Sequence, residues 1–232
     1  RGAYLPAAEY VYKAQVGGRG VYSFCMCPGG FVVPASTGPE ETVVNGMSPA
    51  NRGSRWANSG MVVELHPEDI SETGIAVEDP TSPLALMHWC QEFERRSYIA
   101  AECSLRAPAQ RMTDFVKGRF SQSLPSSSYS MGLTPSALHE WMPSFVTQRL
   151  AEGFRAFDRS TRGFLTEEAQ LIGVESRTSS PVRIPRDRAT YCHPVVTGLY
   201  PAGEGAGFAG GIVSAAIDGE NAAQQIALAL GR

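Results

Sequence analysis

The sequence contains no apolar run near the roughly 20 residues that a membrane-spanning helix requires. It also lacks the pattern of a secretory signal peptide, in which a basic start precedes a short apolar stretch. These two absences predict a protein without a membrane partner. The hydrophobic share of 43% and the charged share of 19% are those of an ordinary globular protein.

An excess of basic charge is missing as well. The 20 Lys and Arg residues are outnumbered by 23 Asp and Glu residues, and the basic residues are mostly arginines spread along the chain. A nucleic-acid-binding surface usually appears as a cluster of Lys and Arg. We therefore predict no nucleic-acid partner.

The cysteines are few and odd in number. They are Cys25, Cys27, Cys90, Cys103 and Cys192. Such a set does not form the disulfide framework of a secreted protein, so we predict a cytoplasmic protein, in a reducing compartment. Cys25-Met26-Cys27 has no second pair at zinc-ribbon spacing, and the four histidines are scattered, so no metal site is predicted. Cys27 fits either a small buried apolar residue or a redox-active thiol.

A glycine-rich stretch lies near the end of the sequence. An apolar run at residues 195–200 is typical of a buried strand, and five glycines follow within residues 203–211, with Glu204 as the only charge among them. Apolar residues then recur at the spacing of one helix face through residues 212–230. The predicted order is strand, glycine turn, helix.

That order suits a ligand that carries a pyrophosphate. The first turn of a helix presents unpaired N–H groups and the positive end of the helix dipole, and glycines let the backbone approach a ligand closely. Two other interpretations stay open. Residues 205–210 fit the G-x-G-x-x-G pattern of an NAD site, although no second strand or acidic residue follows at the required distance. Alternatively, the glycines serve only close helix–strand packing.

The rest of the chain mixes strand and helix patterns. Strand-like runs occur at residues 20–24, 31–34, 42–45, 60–65, 169–174, 181–184 and 190–192. Pro28-Gly29-Gly30 separates the first two runs and indicates a hairpin between them. Helical spacing follows Ser82-Pro83 and recurs over residues 144–157. We predict an α+β fold with mixed or antiparallel strands for residues 1–194.

Several stretches in the same order along the chain resemble the FAD-dependent, "NAD(FAD)-utilizing" dehydrogenase family. They are residues 22–30 (YSFCMCPGG), 45–48 (NGMS), 107–111 (APAQR), 175–184 (ESRTSSPVRI), and 199–212 with 214–219 in and after the glycine-rich stretch. Members of that family open with a Rossmann βαβ unit, which residues 1–60 do not offer. The resemblance therefore implies the C-terminal portion of a longer flavoprotein. Residues 1–194 would form its substrate-side domain, and residues 195–232 the last strand, glycine loop and helix of a Rossmann-like FAD domain whose N-terminal half is missing.

The resemblance also implies site residues. FAD would be bound by Gly203, Glu204, Gly205, Ala206, Gly207, Gly211 and Ile212. Glu204 would accept hydrogen bonds from the ribitol or ribose hydroxyls. A guanidinium group of Arg177 or Arg183 near the flavin could stabilise the anionic reduced ring or bind a substrate carboxylate, and the alternative is an ordinary surface or ion-paired arginine. Cys27 is the third catalytic candidate.

These observations together predict the C-terminal portion of an FAD-dependent oxidoreductase, in which the flavin carries hydride or electron transfer. Its partners would be FAD, a small-molecule substrate and the missing N-terminal half, with NAD(P)H as a candidate electron donor. The chain alone is expected to be inactive and to bind FAD weakly or not at all. The alternative is a non-catalytic binding or assembly module that retains a flavoprotein-like tail.

Overall fold

A computed structural model describes residues 11–231, which form two compact units. The first unit comprises the described part of Arg1–Pro80 together with Gln91–Ser176, and the second comprises Thr81–Cys90 and Arg177–Arg232. Small sheets and separate helices make up the chain, which confirms the predicted α+β class. The domain limits predicted at 1–194 and 195–232 stay predictions, and residues 1–10 lie outside the described part.

The first unit begins with an antiparallel sheet of order β1-β2-β5, formed by β1 (Lys13–Val16), β2 (Arg19–Pro28) and β5 (Ala57–Val63). Val16 pairs with Arg19, so Gly17 and Gly18 alone connect β1 to β2. Both glycines have positive φ, at 54° and 75°. Two such residues form the tight turn whose twist matches that of a hairpin, and glycine adopts it without steric cost.

The predicted hairpin through Pro28-Gly29-Gly30 is wrong. The strand that follows, β3 (Phe31–Pro34), pairs with β4 (Val44–Met47) as a separate two-stranded ribbon. The backbone of the turn bonds elsewhere, because the Gly30 N–H donates to the Trp56 carbonyl at 3.2 Å and the Gly29 carbonyl accepts from Ser54 at 3.3 Å. These bonds hold the turn against the segment that precedes β5. Strand β2 therefore pairs with β5 and not with β3.

A second three-stranded sheet has the order β7-β6-β8, formed by β6 (Ala107–Arg111), β7 (Leu133–Pro135) and β8 (Gln170–Ile172). Strand β6 runs parallel to β7 and antiparallel to β8. The strand predicted at residues 169–174 is thereby confirmed. The strands predicted at 181–184 and 190–192 are wrong, because those segments are irregular and have no ladder partner among the described residues.

The helices of the chain are α1 (Ala85–Ala100), α2 (Met112–Lys117), α3 (Leu138–Trp141), α4 (Ser144–Ser160) and α5 (Ile212–Ala229), with a 3₁₀ helix at Pro67–Glu72. The helical predictions after residue 82, over 144–157 and over 212–230 are confirmed. No helix of the described chain is long and apolar enough to cross a membrane.

Helix α4 forms the core of the first unit by packing on β1, β2 and β5. The buried cluster consists of Val21, Met112, Phe115, Leu138, Leu150, Phe154 and Phe157. Burying one such side chain contributes roughly 1.5–3 kcal/mol. Helix and sheet approach closely at Gly153, where a Cβ atom would lie 2.6 Å from a methyl carbon of Val21.

The second unit is mostly irregular chain leading into α5. The buried strand predicted at residues 195–200 is wrong: the segment is irregular, with bends and a turn, and all its side chains except that of Tyr200 are exposed, Val195 to 84% and Val196 to 50%. An apolar run becomes a buried strand only when neighbouring strands satisfy its backbone groups. None of the strands described in residues 11–231 pairs with this segment.

Candidate cofactor-binding site

The glycine-rich stretch folds into a compact turn directly before α5. Within it, the Gly207 N–H donates to the Glu204 carbonyl at 2.8 Å, and the Phe208 N–H donates to the Gly203 carbonyl at 3.1 Å. Gly203 and Gly207 have φ values of 74° and 84°. Such values are costly for any residue with a Cβ, so the turn requires glycine at these two positions.

Part of a second predicted motif (residues 175–184) lies against this turn. The Ile184 N–H donates to the Ala206 carbonyl at 3.1 Å, and Nε of Arg183 donates to the Gly207 carbonyl at 2.9 Å. A Cβ on Gly207 would lie 2.8 Å from the Val182 carbonyl oxygen. Gly207 is therefore glycine for a second reason: two backbone segments meet there without room for a side chain.

An ion pair between Arg186 and Asp218 fastens the turn to α5. The guanidinium donates to both carboxylate oxygens, at 2.6 and 2.9 Å, and the two side chains are only 9% and 12% exposed. The same carboxylate accepts the Gly203 N–H at 2.8 Å. Rings of Phe208 and Tyr191 lie 3.6 and 4.0 Å from the guanidinium carbon. A planar, bidentate and stacked arrangement of this kind is specific to arginine.

These contacts keep Asp218 ionised. The hydrogen bond from Arg186 contributes most and the Gly203 amide adds to it, so the pKa of Asp218 lies below its ordinary value although burial acts in the opposite direction. The negative charge of Asp218 is thus available in the second turn of α5 to hold the loop.

The first turn of α5 opens toward solvent. Its N-cap residue is Gly211, which has no side chain to accept a hydrogen bond from the first-turn amides, and Ile212 is 91% exposed. Ser214 Oγ accepts the Gly211 N–H at 3.1 Å and donates to the Gly211 carbonyl at 3.0 Å. The start of the helix can therefore offer amides and the positive dipole end to an anion.

The residues of the turn fit the pyrophosphate and polyol of a flavin nucleotide. A Cβ on Gly203 or Gly205 would meet no atom of residues 11–231 within 4 Å, so the described part of the chain fills neither position. Glu204 is exposed, and its carboxylate can accept hydrogen bonds from hydroxyl groups. Among residues 11–231 there is no group of three or more His, Cys, Asp or Glu residues that could hold a metal ion.

The sequence profile of the family described as "FAD-dependent protein, C-terminal domain-like" matches residues 1–178 of this chain. The chain belongs to that family. The chain is 42% identical over 226 residues to a curated relative, an uncharacterized protein from Clostridium beijerinckii. Those residues cover 96% of this chain but 41% of the relative, so the chain spans less than half of the relative's length.

The predicted family is thus confirmed for the C-terminal domain of an FAD-dependent protein. The profile match ends at residue 178, and the glycine turn and α5 lie beyond it. Assignment of the turn and α5 to a Rossmann-like FAD domain therefore stays a prediction.

The second unit brings together most of the site residues predicted for this FAD-dependent family member. Arg183 contacts the glycine turn directly. Arg177 is exposed at the beginning of the segment that passes the turn, in which Ser179 Oγ lies 3.7 Å from the position of a Cβ on Gly210. Sequence reasoning did not select Arg186 or Asp218, because 32 positions separate them along the chain and neither belongs to a recognisable motif.

Cys27 lies in the first unit, within β2. It is 7% exposed, and its thiol donates to the Cys25 carbonyl at 3.3 Å. Burial raises the pKa of the Cys27 thiol, the carboxylate of Glu175 raises it further, and Arg52 lowers it. Burial also raises the pKa of Glu175 to about 7. Sequence reasoning missed Glu175, because only the fold reveals the burial that perturbs its carboxyl group.

Proposed function

We propose that this chain is the C-terminal portion of an FAD-dependent oxidoreductase that acts in the cytoplasm on a small-molecule substrate. The observation that carries the proposal is the glycine turn, which the Arg186–Asp218 pair holds directly before the open first turn of α5. Membership of an FAD-dependent family supports the same conclusion. The activity belongs to the longer protein, of which this chain supplies residues 195–232 to a Rossmann-like FAD domain.

In this proposal the turn holds the cofactor by its backbone. The amides of Gly205 and of the first turn of α5 bind the pyrophosphate, because N–H groups and a helix dipole both favour anions. The Gly203 amide joins them when it leaves Asp218. Ala206, Gly207, Gly211 and Ile212 complete the lining. Glu204 accepts hydrogen bonds from the ribose or ribitol hydroxyls. When bound, FAD supplies hydride or electron transfer, with NAD(P)H as the proposed electron donor.

The catalytic candidates provide charge and a thiol. A guanidinium of Arg177 or Arg183 binds a substrate carboxylate by two parallel hydrogen bonds or stabilises negative charge on the cofactor. Arg183 donates through Nε, and its guanidinium carbon lies 5.2 Å from the ring of Phe208, so the turn orients it. Cys27, in the first unit, is the third proposed catalytic residue.

The test is the flavin absorbance of the longer protein and of this chain after equilibration with FAD and removal of free cofactor. We expect a yellow longer protein and a chain that retains little or no flavin. In the longer protein, Gly205→Val should lower FAD affinity roughly tenfold or more, because a side chain then occupies the approach to the backbone. Gly219→Val, at a helical glycine that is equally open, is the matched control.

The role of Glu204 is tested in the same way. Glu204→Ala should weaken FAD binding by about three- to tenfold, the value of one or two hydrogen bonds. Glu220→Ala removes an exposed carboxylate from α5 and should leave affinity unchanged. A colourless longer protein, or equal affinities for the two glutamate variants, contradicts the proposed site.

A second candidate function is a non-catalytic assembly module, which the apolar surface of α5 favours. Ile212, Val213 and Ile217 are 91%, 71% and 53% exposed, and Leu228 is 67% exposed. Exposed apolar patches of this kind mark surfaces that associate. Self-association of the longer protein through α5, with no flavin bound, would favour this function over the first.

A further inference from the structure

One face of the first sheet carries an unusual set of polar side chains. Cys27 of β2 pairs directly with Asn58 of β5. Gly60 follows Asn58 by two positions and therefore points to the same face of the sheet. Glu175 follows β8 in sequence and reaches this face, where its Oε2 lies 2.5 Å from the position of a Cβ on Gly60.

Two glycines make room for these polar groups. Gly60 leaves space for the carboxyl group of Glu175, and Gly46 of β4 leaves space for the amide of Asn58. A Cβ on Gly46 would lie 2.1 Å from Asn58 Oδ1 and 3.6 Å from Cys27 Sγ. The thiol, the amide and the carboxyl therefore share one region, and no side chain at these two positions could be accommodated without displacing them.

The hydrogen-bonding capacity of this region is largely unused. Both Nδ2 and Oδ1 of Asn58 are buried and have no hydrogen-bond partner within residues 11–231. Among the described residues, the carboxyl group of Glu175 also has no hydrogen-bond partner, and burial is the cause of its raised pKa. Each buried polar group that lacks a partner costs about 1–3 kcal/mol, so native proteins contain few of them. An amide that offers a free donor beside a free acceptor indicates a missing ligand group of complementary polarity.

We propose that Cys27, Asn58 and Glu175 form a second ligand site, which binds an uncharged small molecule through a carbonyl or carboxamide group. The Asn58 amide donates to the carbonyl oxygen of that group and accepts from its N–H. The Glu175 carboxyl group, in its protonated form, supplies a further donor. This inference goes beyond the proposed FAD site and does not depend on it.

Charge supports a neutral ligand. Because burial raises the pKa of Glu175 to about 7, this carboxyl keeps its proton in a large fraction of molecules at neutral pH. The Cys27 thiol is likewise held neutral, since burial and Glu175 raise its pKa more than Arg52 lowers it. An anionic ligand would meet the carboxylate of Glu175 in the remaining molecules. A carboxamide meets no such repulsion.

Two alkylating reagents with the same reacting carbon test the proposal on this chain. Iodoacetamide carries a carboxamide, whereas iodoacetate carries a carboxylate. In both, the Cys27 sulfur forms a bond to the CH₂ carbon, iodide leaves and the thiol proton passes to the buffer. In a Cys25→Ser background, mass spectrometry resolves the rate at Cys27 from the rates at the other cysteines.

We expect the alkylation rate at Cys27 to saturate with rising iodoacetamide concentration. We also expect the ratio of the iodoacetamide rate to the iodoacetate rate to be larger at Cys27 than at exposed Cys103. Asn58→Leu should lower the iodoacetamide rate about three- to tenfold, the value of one hydrogen bond, and leave the iodoacetate rate unchanged. Asn45→Leu, at an exposed amide of β4, is the matched control. Glu175→Gln should raise the iodoacetate rate.

A separate measurement keeps the test independent of whether the Asn58 variant folds. In the chain with Asn58 intact, acetamide should protect Cys27 from both reagents, whereas sodium acetate should not. The proposal is overturned by a rate at Cys27 that stays linear in iodoacetamide, by equal protection from acetamide and acetate, or by a Cys27 that reacts only after denaturation.

Discussion

The dependence of stability on pH tests whether Glu175 is buried in the first unit. Its pKa is about 7 in the folded chain against an ordinary value of 4.5, and burial is the cause. The carboxylate is therefore less favourable in the folded state than in the unfolded state. Glu175→Gln keeps the shape of the side chain and removes the ability to ionise.

The sign and size of the effect follow from proton linkage. Below pH 4.5 the carboxyl group is protonated in both states and contributes no difference. As the pH rises from 4.5 through 7, the unfolded state loses its proton first, so the folded chain becomes progressively less stable. Above pH 7 the full penalty is about 3 kcal/mol, from 1.36 kcal/mol for each pKa unit.

The assay is urea unfolding of the chain and of Glu175→Gln between pH 4 and pH 8.5. We expect the two free energies of unfolding to agree near pH 4 and the variant to be more stable by about 3 kcal/mol at pH 8.5. Glu168→Gln, at an exposed carboxylate, is the control and should show no such divergence. A difference between Glu175→Gln and the parent that does not change with pH would refute the reasoning.

Three further substitutions test the packing, each by chemical denaturation. Asp218→Ala strands a largely buried guanidinium and should lower the free energy of unfolding by about 2–3 kcal/mol, whereas Glu220→Ala should change it by less than about 0.5 kcal/mol. Gly207→Ala combines positive φ with a backbone clash and should cost about 2–4 kcal/mol, while Gly205→Ala, at an open position, should be nearly neutral. Gly153→Ala should cost about 1–2 kcal/mol, because overpacking against the sheet outweighs the gain in helix propensity.

Helix α5 was predictable from the sequence because its determinants are local. A 3.6-residue apolar period and a glycine at the start specify a helix within a single short window. The structure begins this helix at Ile212, as predicted, and ends it at Ala229. The same locality explains the success for α4.

The apolar run at residues 195–200 failed as a strand prediction for the opposite reason. A strand depends on neighbours that lie elsewhere in the chain, and an apolar run records hydrophobicity without recording those neighbours. The hairpin predicted through residues 28–30 failed similarly, because the segment at Ser54–Trp56 competes for the backbone of the turn.

The chemistry of the candidate sites was partly predictable. Glycine content and family resemblance selected Gly203 and Gly207, whose positive φ values a sequence can signal. The Arg186–Asp218 pair and the burial of Glu175 depend on long-range packing and leave no local pattern. Long-range pairs of this kind decide which loops are rigid, and they become visible only in three dimensions.

The attachment of Gly203 to Asp218 has a consequence for ligand exchange. The protein's own carboxylate already occupies the amide that an incoming phosphate would seek. A phosphate bound to this N–H would have to displace the Asp218 carboxylate from it. Asp218 would then keep only its hydrogen bonds from Arg186. In the proposed site, Asp218 would thus compete with the phosphate for this amide and would return to it when the anion leaves.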